Sequence, residues 1–380
     1  MALARVMDRP EDFKKLGINP DRLEAWEDGL RDTDEPGHCE IFYFDCSFDD
    51  GSTLVLGFRP KSMRMMMAKG FEPNVAINYT AADGTEICDY RVSSVEDTEM
   101  MKERCDLRFG VNTLTSPEPW KTYDFHVVPE PDYEVVLEGK RSVQHTTAMD
   151  LHFEAKLAPF RPGTGYIAFG PHDELYYNFI CITRLEVTGH LSIGGEDKQV
   201  TGSAYYNHQW SNCSPAAAFH HWVWGRQVLG RYSILVYDMV AAERFGFERI
   251  PLFTIDDEDG TRILTVTSKD HMKSEILERY LQKETGKRYP RHIRYELEDG
   301  DTHATFDIVN TQEIRIIDLY SSAPAPQKAQ FDAAHIQPTY TRYLADTKLE
   351  LTRSGKTETI EGRMLYEFNY TGIDDERAHM

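Results

Sequence analysis

The chain of 380 residues has no apolar run near the roughly 20 residues that a membrane-spanning helix needs. Its opening, Met1-Ala-Leu-Ala-Arg-Val-Met-Asp-Arg-Pro, is charged and lacks the apolar core of a secretory leader, so the expectation is a cytoplasmic protein with no membrane span. Positive charge is scarce: 42 Lys and Arg stand against 63 Asp and Glu, a formal net charge of −21. A surface of that sign repels phosphate backbones and anionic headgroups, which argues against nucleic acid and against docking on membranes through a basic patch. Cysteine is thinly spread as Cys39, Cys46, Cys88, Cys105, Cys181 and Cys213, with no Cys-x-x-Cys pair; this predicts buried reduced thiols, not a disulfide framework. The sequence also lacks a Gly-x-Ser-x-Gly elbow, a Walker loop and a Gly-x-Gly-x-x-Gly after a strand. The acidic strings Asp49-Asp50-Gly51 and Asp256-Asp257-Glu258-Asp259-Gly260 lack the spaced ligands of a calcium loop and read as solvated turns.

What the chain does have is alternation. From Glu40 onward, apolar and polar residues follow a period of two, broken by turn dipeptides. Ile41 to Phe48 and Ser52 to Phe58 flank Asp50-Gly51; Val75 to Thr80 and Ile87 to Val92 flank Asp83-Gly84. Glycine supplies the positive φ that primed hairpin turns require, so each pair predicts a hairpin. Gly194-Gly195, Asp259-Gly260, Asp299-Gly300 and Ser354-Gly355-Lys356 repeat the device. The fold class expected is all-β: antiparallel barrels or sandwiches. Residues 1–37 form a lead-in in which Asp21 is placed to cap a helix starting at Arg22. One further helix is expected over about Ser268 to Glu284, where Met272, Ile276, Tyr280 and Leu281 keep a helical spacing. Ser321-Ser-Ala-Pro-Ala-Pro-Gln reads as a loop.

Two stretches resemble each other. Phe42-Tyr43-Phe44 leads through Asp50-Gly51 to Leu54-Val55-Leu56, and Trp222-Val223-Trp224 leads through Leu229-Gly230 to Ile234-Leu235-Val236. Read as the first hairpins of two similar barrels, they divide the chain into 1–37, 38–215 and 216–376. One continuous sandwich is the alternative.

The segment from Gly202 to Asp238 carries three of the five tryptophans together with His208, His220 and His221. On a strand, Tyr232, Ile234, Val236, Asp238 and Val240 share a face. A carboxyl among aliphatic neighbours loses hydration, which favours its neutral, proton-donating form. The structural alternative is a buried Asp238 paired with Arg226 or a backbone amide. His220, Trp222, Trp224 and Arg226 alternate onto one face, which suits an apolar pocket with a polar end, or a core in which the indoles simply fill space. His208 and Trp210 share another face, and His208 could serve as a base or orient a carboxyl. A zinc set of His208, Cys213, His220 and His221 fits none of the common spacings.

Phe42-Tyr43-Phe44-Asp45 with Asp50-Gly51 resembles a family's Trp-Trp-Tyr-Phe-Asp opening and Asp-Gly turn. Gly202-Ser-Ala-Tyr-Tyr-Asn-His-Gln-Trp resembles its Gly-x-x-Tyr-x-Asp-His-x-Trp-Gly segment, and Tyr237-Asp238 falls at its Tyr-Asp pair. The family is the lipocalin-like group of carotenoid 1,2-hydratase (hydroxyneurosporene synthase), kievitone hydratase and the fungal decalin-forming Diels–Alderases. Asn207 stands where the group has Asp, and Ser211 where it has Gly. The resemblance implies two tandem lipocalin-like domains, a small hydrophobic substrate near their junction, and no metal or organic cofactor. It implies Asp238 as proton donor with Tyr237 and His208 beside it. Trp210, Trp222, Trp224, Arg226, Tyr205 and Tyr43 are the candidate substrate-binding residues. The activity it implies is that of a hydratase, dehydratase or isomerase on a terpenoid, polyketide or phenolic. A pericyclase of secondary metabolism and a non-catalytic carrier are the alternatives, and a homodimer is compatible with either.

Overall fold

The computed structural model describes residues 3–137 and 139–379. The chain folds into two compact units. The first holds 7–166 and 176–214; the second holds the residues up to Val6, Ile167–Leu175 and the residues from Pro215 onward. The lead-in is therefore not a separate segment. Ala4–Val6 pairs with Ile167 to Phe169, and the rest of the lead-in belongs to the first unit.

In the first unit a separate two-stranded hairpin pairs Val135–Leu137 with Lys140–Ser142, and the strands of the large sheet are β1 (Cys39–Phe48), β2 (Thr53–Arg59), β3 (Asn74–Thr80), β4 (Glu86–Val92), β5 (Thr98–Met100), β6 (Asp106–Phe109), β7 (Asn112–Thr115), β8 (Thr122–Val127), β9 (Ala148–Ala155), β10 (Leu175–Ile193) and β11 (Glu196–Ser211). They pair antiparallel in the order β4-β3-β2-β1-β11-β10-β9-β8-β7-β6-β5. In the second unit they are β12 (Phe219–Leu229), β13 (Tyr232–Ala241), β14 (Arg249–Asp257), β15 (Arg262–Val266), β16 (Met272–Leu281), β17 (Arg288–Asp299), β18 (Thr302–Asp318), β19 (Ile336–Arg353) and β20 (Lys356–Gly372), in the order β15-β14-β13-β12-β20-β19-β18-β17-β16. The protein is of the all-β class, mostly strand, with a curled half-barrel sheet and further sheets. Every hairpin expected from a turn dipeptide is present.

The two orders are the same connection pattern used twice. In each unit the first strand of the first hairpin, β1 or β12, pairs with the last long strand, β11 or β20. The similarity seen between Phe42-Tyr43-Phe44 and Trp222-Val223-Trp224 is thus one of topology, but it is offset by one residue. Phe42 and Phe44 point into the first core, whereas Val223 points into the second and the two indoles point away from it. A one-residue slip on a strand exchanges its faces.

Three local expectations are corrected. The segment from Met272 is strand β16, preceded by a single 3-10 turn at Lys269–His271. Met272, Ile276 and Tyr280 are four apart, a spacing that lands on one face of a strand as well as of a helix, and the pairing of β16 with β17 decides between them. The chain does not form a helix at Arg22. The first helix is Pro10–Leu16, with Pro10 at its first turn, Glu11 and Asp12 at its positive end, Lys14 and Lys15 at its negative end, and Gly17 at φ 66° closing it. The Ser321–Gln327 stretch is not loop throughout, because short helices occupy Leu319–Ser322 and Ala325–Ala333.

Candidate functional site

All ten residues of β13 are buried, so both of its faces are covered. Ile234 and Val236 belong to the core of the second unit, and Asp238, two residues further along, continues that face. Asp238 is 5% exposed. Its Oδ2 accepts a hydrogen bond from Arg249 Nη1 at 2.9 Å and another from the Tyr295 hydroxyl at 3.3 Å. Its Oδ1 has no hydrogen-bond partner among the described residues. Arg249 lies diagonally across the β13–β14 ladder, since Val240 is its direct partner, and its guanidinium also donates to Ser274. Burial works against the Arg249 charge, but Asp238 more than compensates, so the guanidinium is held even more firmly protonated than usual. Burial and the nearby Asp238 push the Tyr295 phenol well above its usual range, which keeps it a donor. The pairing partner is Arg249, not Arg226 as the sequence suggests.

The surroundings expected for Asp238 are not those found. Val223 pairs with Asp238, Trp224 with Tyr237, Trp222 with Met239 and Arg226 with Leu235. Directly paired side chains share a face and neighbours alternate. Trp222, Trp224, Arg226 and Tyr237 therefore stand on the face of the β12–β13 hairpin opposite Asp238. Tyr237 is not beside the carboxyl, and the indoles do not wall it. Its near aromatic neighbour is Tyr295, and Phe253 lies against Tyr295 with ring centroids 5.9 Å apart.

In the first unit, the aromatic strand β1 turns Glu40, Phe42, Phe44, Cys46 and Phe48 inward, and β11 turns Tyr206, His208 and Trp210 inward beside them. His208 is fully buried. Its Nε2 contacts Glu40 Oε1 at 2.7 Å, and its Nδ1 lies 3.4 Å from Asp28 Oδ1. Asp28 also accepts from Tyr206 at 2.5 Å and from Tyr123 at 2.8 Å. Glu40 takes the backbone N–H groups of Arg31, at 2.9 and 3.0 Å, and of Asp32, at 2.5 Å. The ring stacks on Phe42 at 4.0 Å and tilts against Trp210 at 4.6 Å. Burial pulls the imidazole toward its neutral form, but the contacts with Asp28 and Glu40 outweigh it and its pKa is raised. The two carboxylates thus favour the protonated form of His208, and the ring anchors the lead-in to the barrel.

Tyr205 and Tyr43 project from the other side of that sheet, with ring centroids 6.4 Å apart. There the Tyr177 hydroxyl donates to Gln209 at 2.7 Å, Gln209 to Asn207 at 2.9 Å and Asn207 to the Tyr205 hydroxyl at 3.1 Å. His208 and Trp210 are brought together; Tyr205 and Tyr43 are brought together; the sheet separates the two pairs.

His220 and His221 form a third cluster, with His379. His220 Nε2 faces the carbonyl of Ile373 at 2.7 Å, and its Nδ1 faces His221 Nδ1 at 2.8 Å. Burial lowers the pKa of all three rings, that of His379 to about 3. Gly372 packs so closely on the His220 ring that no side chain fits there. Gly372→Ala should therefore cost about 1–3 kcal/mol through overpacking, seen as a lower urea midpoint. Nearby, the Lys287 ammonium donates to the carbonyls of Gln337, Tyr370 (2.9 Å) and Gly372 (2.7 Å). Burial lowers its pKa to about 7. Among the described residues, no three His, Cys, Asp or Glu side chains are gathered to hold a metal ion, which includes the set His208, Cys213, His220 and His221. A small cleft of about 40 Å³ lies by Arg59, Asn74, Tyr90 and Leu137, and a wider groove of about 490 Å³ lies by Asp307, Asp346, Lys348 and Arg363. Neither is lined by the residues singled out in the sequence.

The partners that sequence reasoning missed are Arg249 and Tyr295 for Asp238, and Asp28 and Glu40 for His208. Glu40 left a signal: it is a carboxylate at the head of an inward-facing aromatic alternation. The other three left none: Arg249 reaches over diagonally from the neighbouring β14, Tyr295 comes from β17, and Asp28 from the lead-in.

No family model matches the chain, and no curated protein matches it in sequence. Solved structures do share its fold. A Nitrosomonas europaea protein provisionally named AttH is 16% identical, with a TM-score of 0.56 over 93% of this chain and 98% of that one. CghA, solved with Sch210972, is 13% identical, with a TM-score of 0.56 over 90% of each chain. Kievitone hydratase of Nectria haematococca is 14% identical, with a TM-score of 0.50 over 93% of this chain and 97% of that one. The fold is the lipocalin-like β architecture these proteins have in common.

Proposed function

We propose that the chain is a lyase of hydratase or dehydratase type, acting on a hydrophobic small molecule, with Asp238 handling the proton. The observation that carries the reading is the half-satisfied carboxylate. One oxygen of Asp238 is held by Arg249 and Tyr295, and the other is unpartnered in a buried, apolar setting. Leaving a buried acceptor unpaired costs about 1–3 kcal/mol; other buried polar atoms of this chain share that state, Asp32 Oδ2 among them, and a catalytic role is one explanation for such a group. The likeness of fold to kievitone hydratase, by its name a hydratase, and to CghA, solved with Sch210972, supports a small organic substrate.

The ion pair changes the direction of the chemistry. A carboxylate held by a guanidinium accepts a proton before it can give one. In hydration, Asp238 Oδ1 takes a proton from water, the water oxygen bonds to the β-carbon of an enone, and the same proton returns to the α-carbon. Dehydration is the reverse. Arg249 and Tyr295 keep the carboxylate oriented. His208 lies in the other unit with its nitrogens facing carboxylates, and it takes a structural role in this scheme.

The test is turnover of a panel of phenolic, polyketide and terpenoid enones in heavy water. The wild type should add water and place deuterium on carbon, while Asp238→Asn, which leaves the buried Arg249 guanidinium without its carboxylate and so melts lower, should still be folded at the assay temperature and be slower by at least about 100-fold. Equal rates with equal deuterium uptake would sink the proposal. A product that forms in both proteins without deuterium would favour a pericyclic reaction, in which the Arg249 and Tyr295 donors polarise a carbonyl.

A further inference from the structure

The outer face of the first sheet carries three histidine–carboxylate pairs that neither the core nor the proposed site uses. His126 faces Asp150, His152 faces Asp124 at 2.6 Å, and His190 faces Asp197. The three imidazoles are 39% to 50% exposed. The strand register aligns them. Asp150 on β9 sits directly opposite His126 of β8 on one side and His190 of β10 on the other. One row across three strands thus reads His, Asp, His. Asp124 and His152, also paired across β8 and β9, form the next row on the same face.

We propose that this row is a binding site for a transition-metal dication such as zinc, with His126, Asp150 and His190 as its ligands. Neighbouring strands lie about 4.8 Å apart, so the two histidine backbones stand roughly 10 Å apart. An imidazole with a metal–nitrogen bond of about 2 Å reaches past the midpoint of that gap from either side. Asp150 rises between them and closes the third position. Two imidazoles and one carboxylate suit zinc, nickel or copper better than magnesium or calcium, which prefer all-oxygen shells. In the structure each imidazole is turned onto its nearest carboxylate, so the three ligands are not gathered about one point. The register sets the three backbones side by side, and the proposal requires the side chains to rotate from their present partners onto one ion. Asp197 then accepts from the second ring nitrogen of His190, the arrangement that orients metal-bound imidazoles. Exposed pairs of this kind contribute little to folding, so the site can be dismantled without unfolding the protein.

The experiment titrates the full chain, stripped with EDTA, with zinc chloride by calorimetry and with cobalt chloride by visible absorption. The wild type should bind one ion per chain. The double variant His126→Ala with His190→Ala should lose binding. Asp197→Asn, which removes only an orienting partner, should bind about 10-fold more weakly. His303→Ala, an exposed histidine of the second unit, should bind as the wild type does. All variants should melt as the wild type does without metal. A wild type that takes up no zinc overturns the proposal, and so does a double variant that binds zinc unchanged.

Discussion

Replacing Arg91 by methionine is expected to cost the first unit about 3–5 kcal/mol, the usual loss when one partner of a buried ion pair is removed. Arg91 is wholly buried. Its Nη2 pairs with Asp89 at 2.9 Å and donates to the carbonyl of Thr147 at 2.8 Å. Its Nη1 donates to Asn112 at 3.0 Å and to the carbonyl of Val128, and lies 3.3 Å from Glu130. Asp89 in turn faces His145 Nδ1 at 2.8 Å, whose Nε2 faces the carbonyl of Tyr133 at 2.9 Å, with the Tyr133 ring stacked on it at 3.9 Å. Burial alone would raise the Asp89 pKa, but the hydrogen bond and charge of Arg91 overcome it and leave it lowered. Without the guanidinium, the buried Asp89 carboxylate loses its charged partner and the carbonyls of Thr147 and Val128 lose a donor. For a unit of about 200 residues the melting temperature should fall on the order of 10 °C. Scanning calorimetry of Arg91→Met reads this directly, with Arg91→Lys recovering only part because an ammonium cannot fork to all the acceptors. A fall of under a degree would show that the network does not hold the unit together.

Networks of this kind mark the limit of what the sequence discloses. The strands and turns were legible because their causes are local: Asp50-Gly51 or Gly194-Gly195 between alternating runs needs no information from elsewhere in the chain. The repeat of two sheets was legible for the same reason, since each first hairpin carries its own aromatic strand. Its register was not. Whether Trp222 or Val223 shares a face with Asp238 depends on how β12 pairs with β13, and the register there sets Val223 opposite Asp238 and leaves Trp222, Trp224 and Arg226 on the other face; Tyr237, next to Asp238 on the same strand, lies on that other face by alternation alone. The segment from Met272 to Leu281 misled because a spacing of four satisfies both periods, and only its ladder with β17 breaks the tie. Asp238 itself stood out as a carboxylate in an apolar run. Its partners did not, because Arg249 and Tyr295 reach it diagonally and across the barrel.

The same contrast gives the two units opposite responses to pH. His208 in the first unit has its pKa raised: burial opposes the charge, but Asp28 and Glu40 overcome it. An unfolded histidine titrates near about 6.5. Below that pH both states are protonated, and the stabilisation by the buried cation is complete. As pH rises from about 6.5 through the higher folded pKa, the unfolded chain has already released its proton, the folded chain must release it too, and the stabilisation is lost. Its neighbours do not reproduce this trend. Tyr123 and Tyr206 are pushed well above the usual tyrosine range by burial and by Asp28, and Asp32 is raised by burial and by Glu40 but starts from 3.8. In the second unit, burial lowers His220, His221 and His379, the last to about 3. There the unfolded chain binds protons below about 6.5 while the folded chain resists, so stability falls with acid. Hydrogen exchange read on peptides from β11 and β12 between pH 5 and 9 should therefore give curves of opposite slope. His208→Phe should flatten the β11 curve and lower its whole level by about 3–5 kcal/mol, because Asp28 and Glu40 then face each other without the cation. The β12 curve should keep its slope in that variant. If the β11 curve of His208→Phe still falls from pH 6.5 upward as the wild type does, the buried cation is not its source.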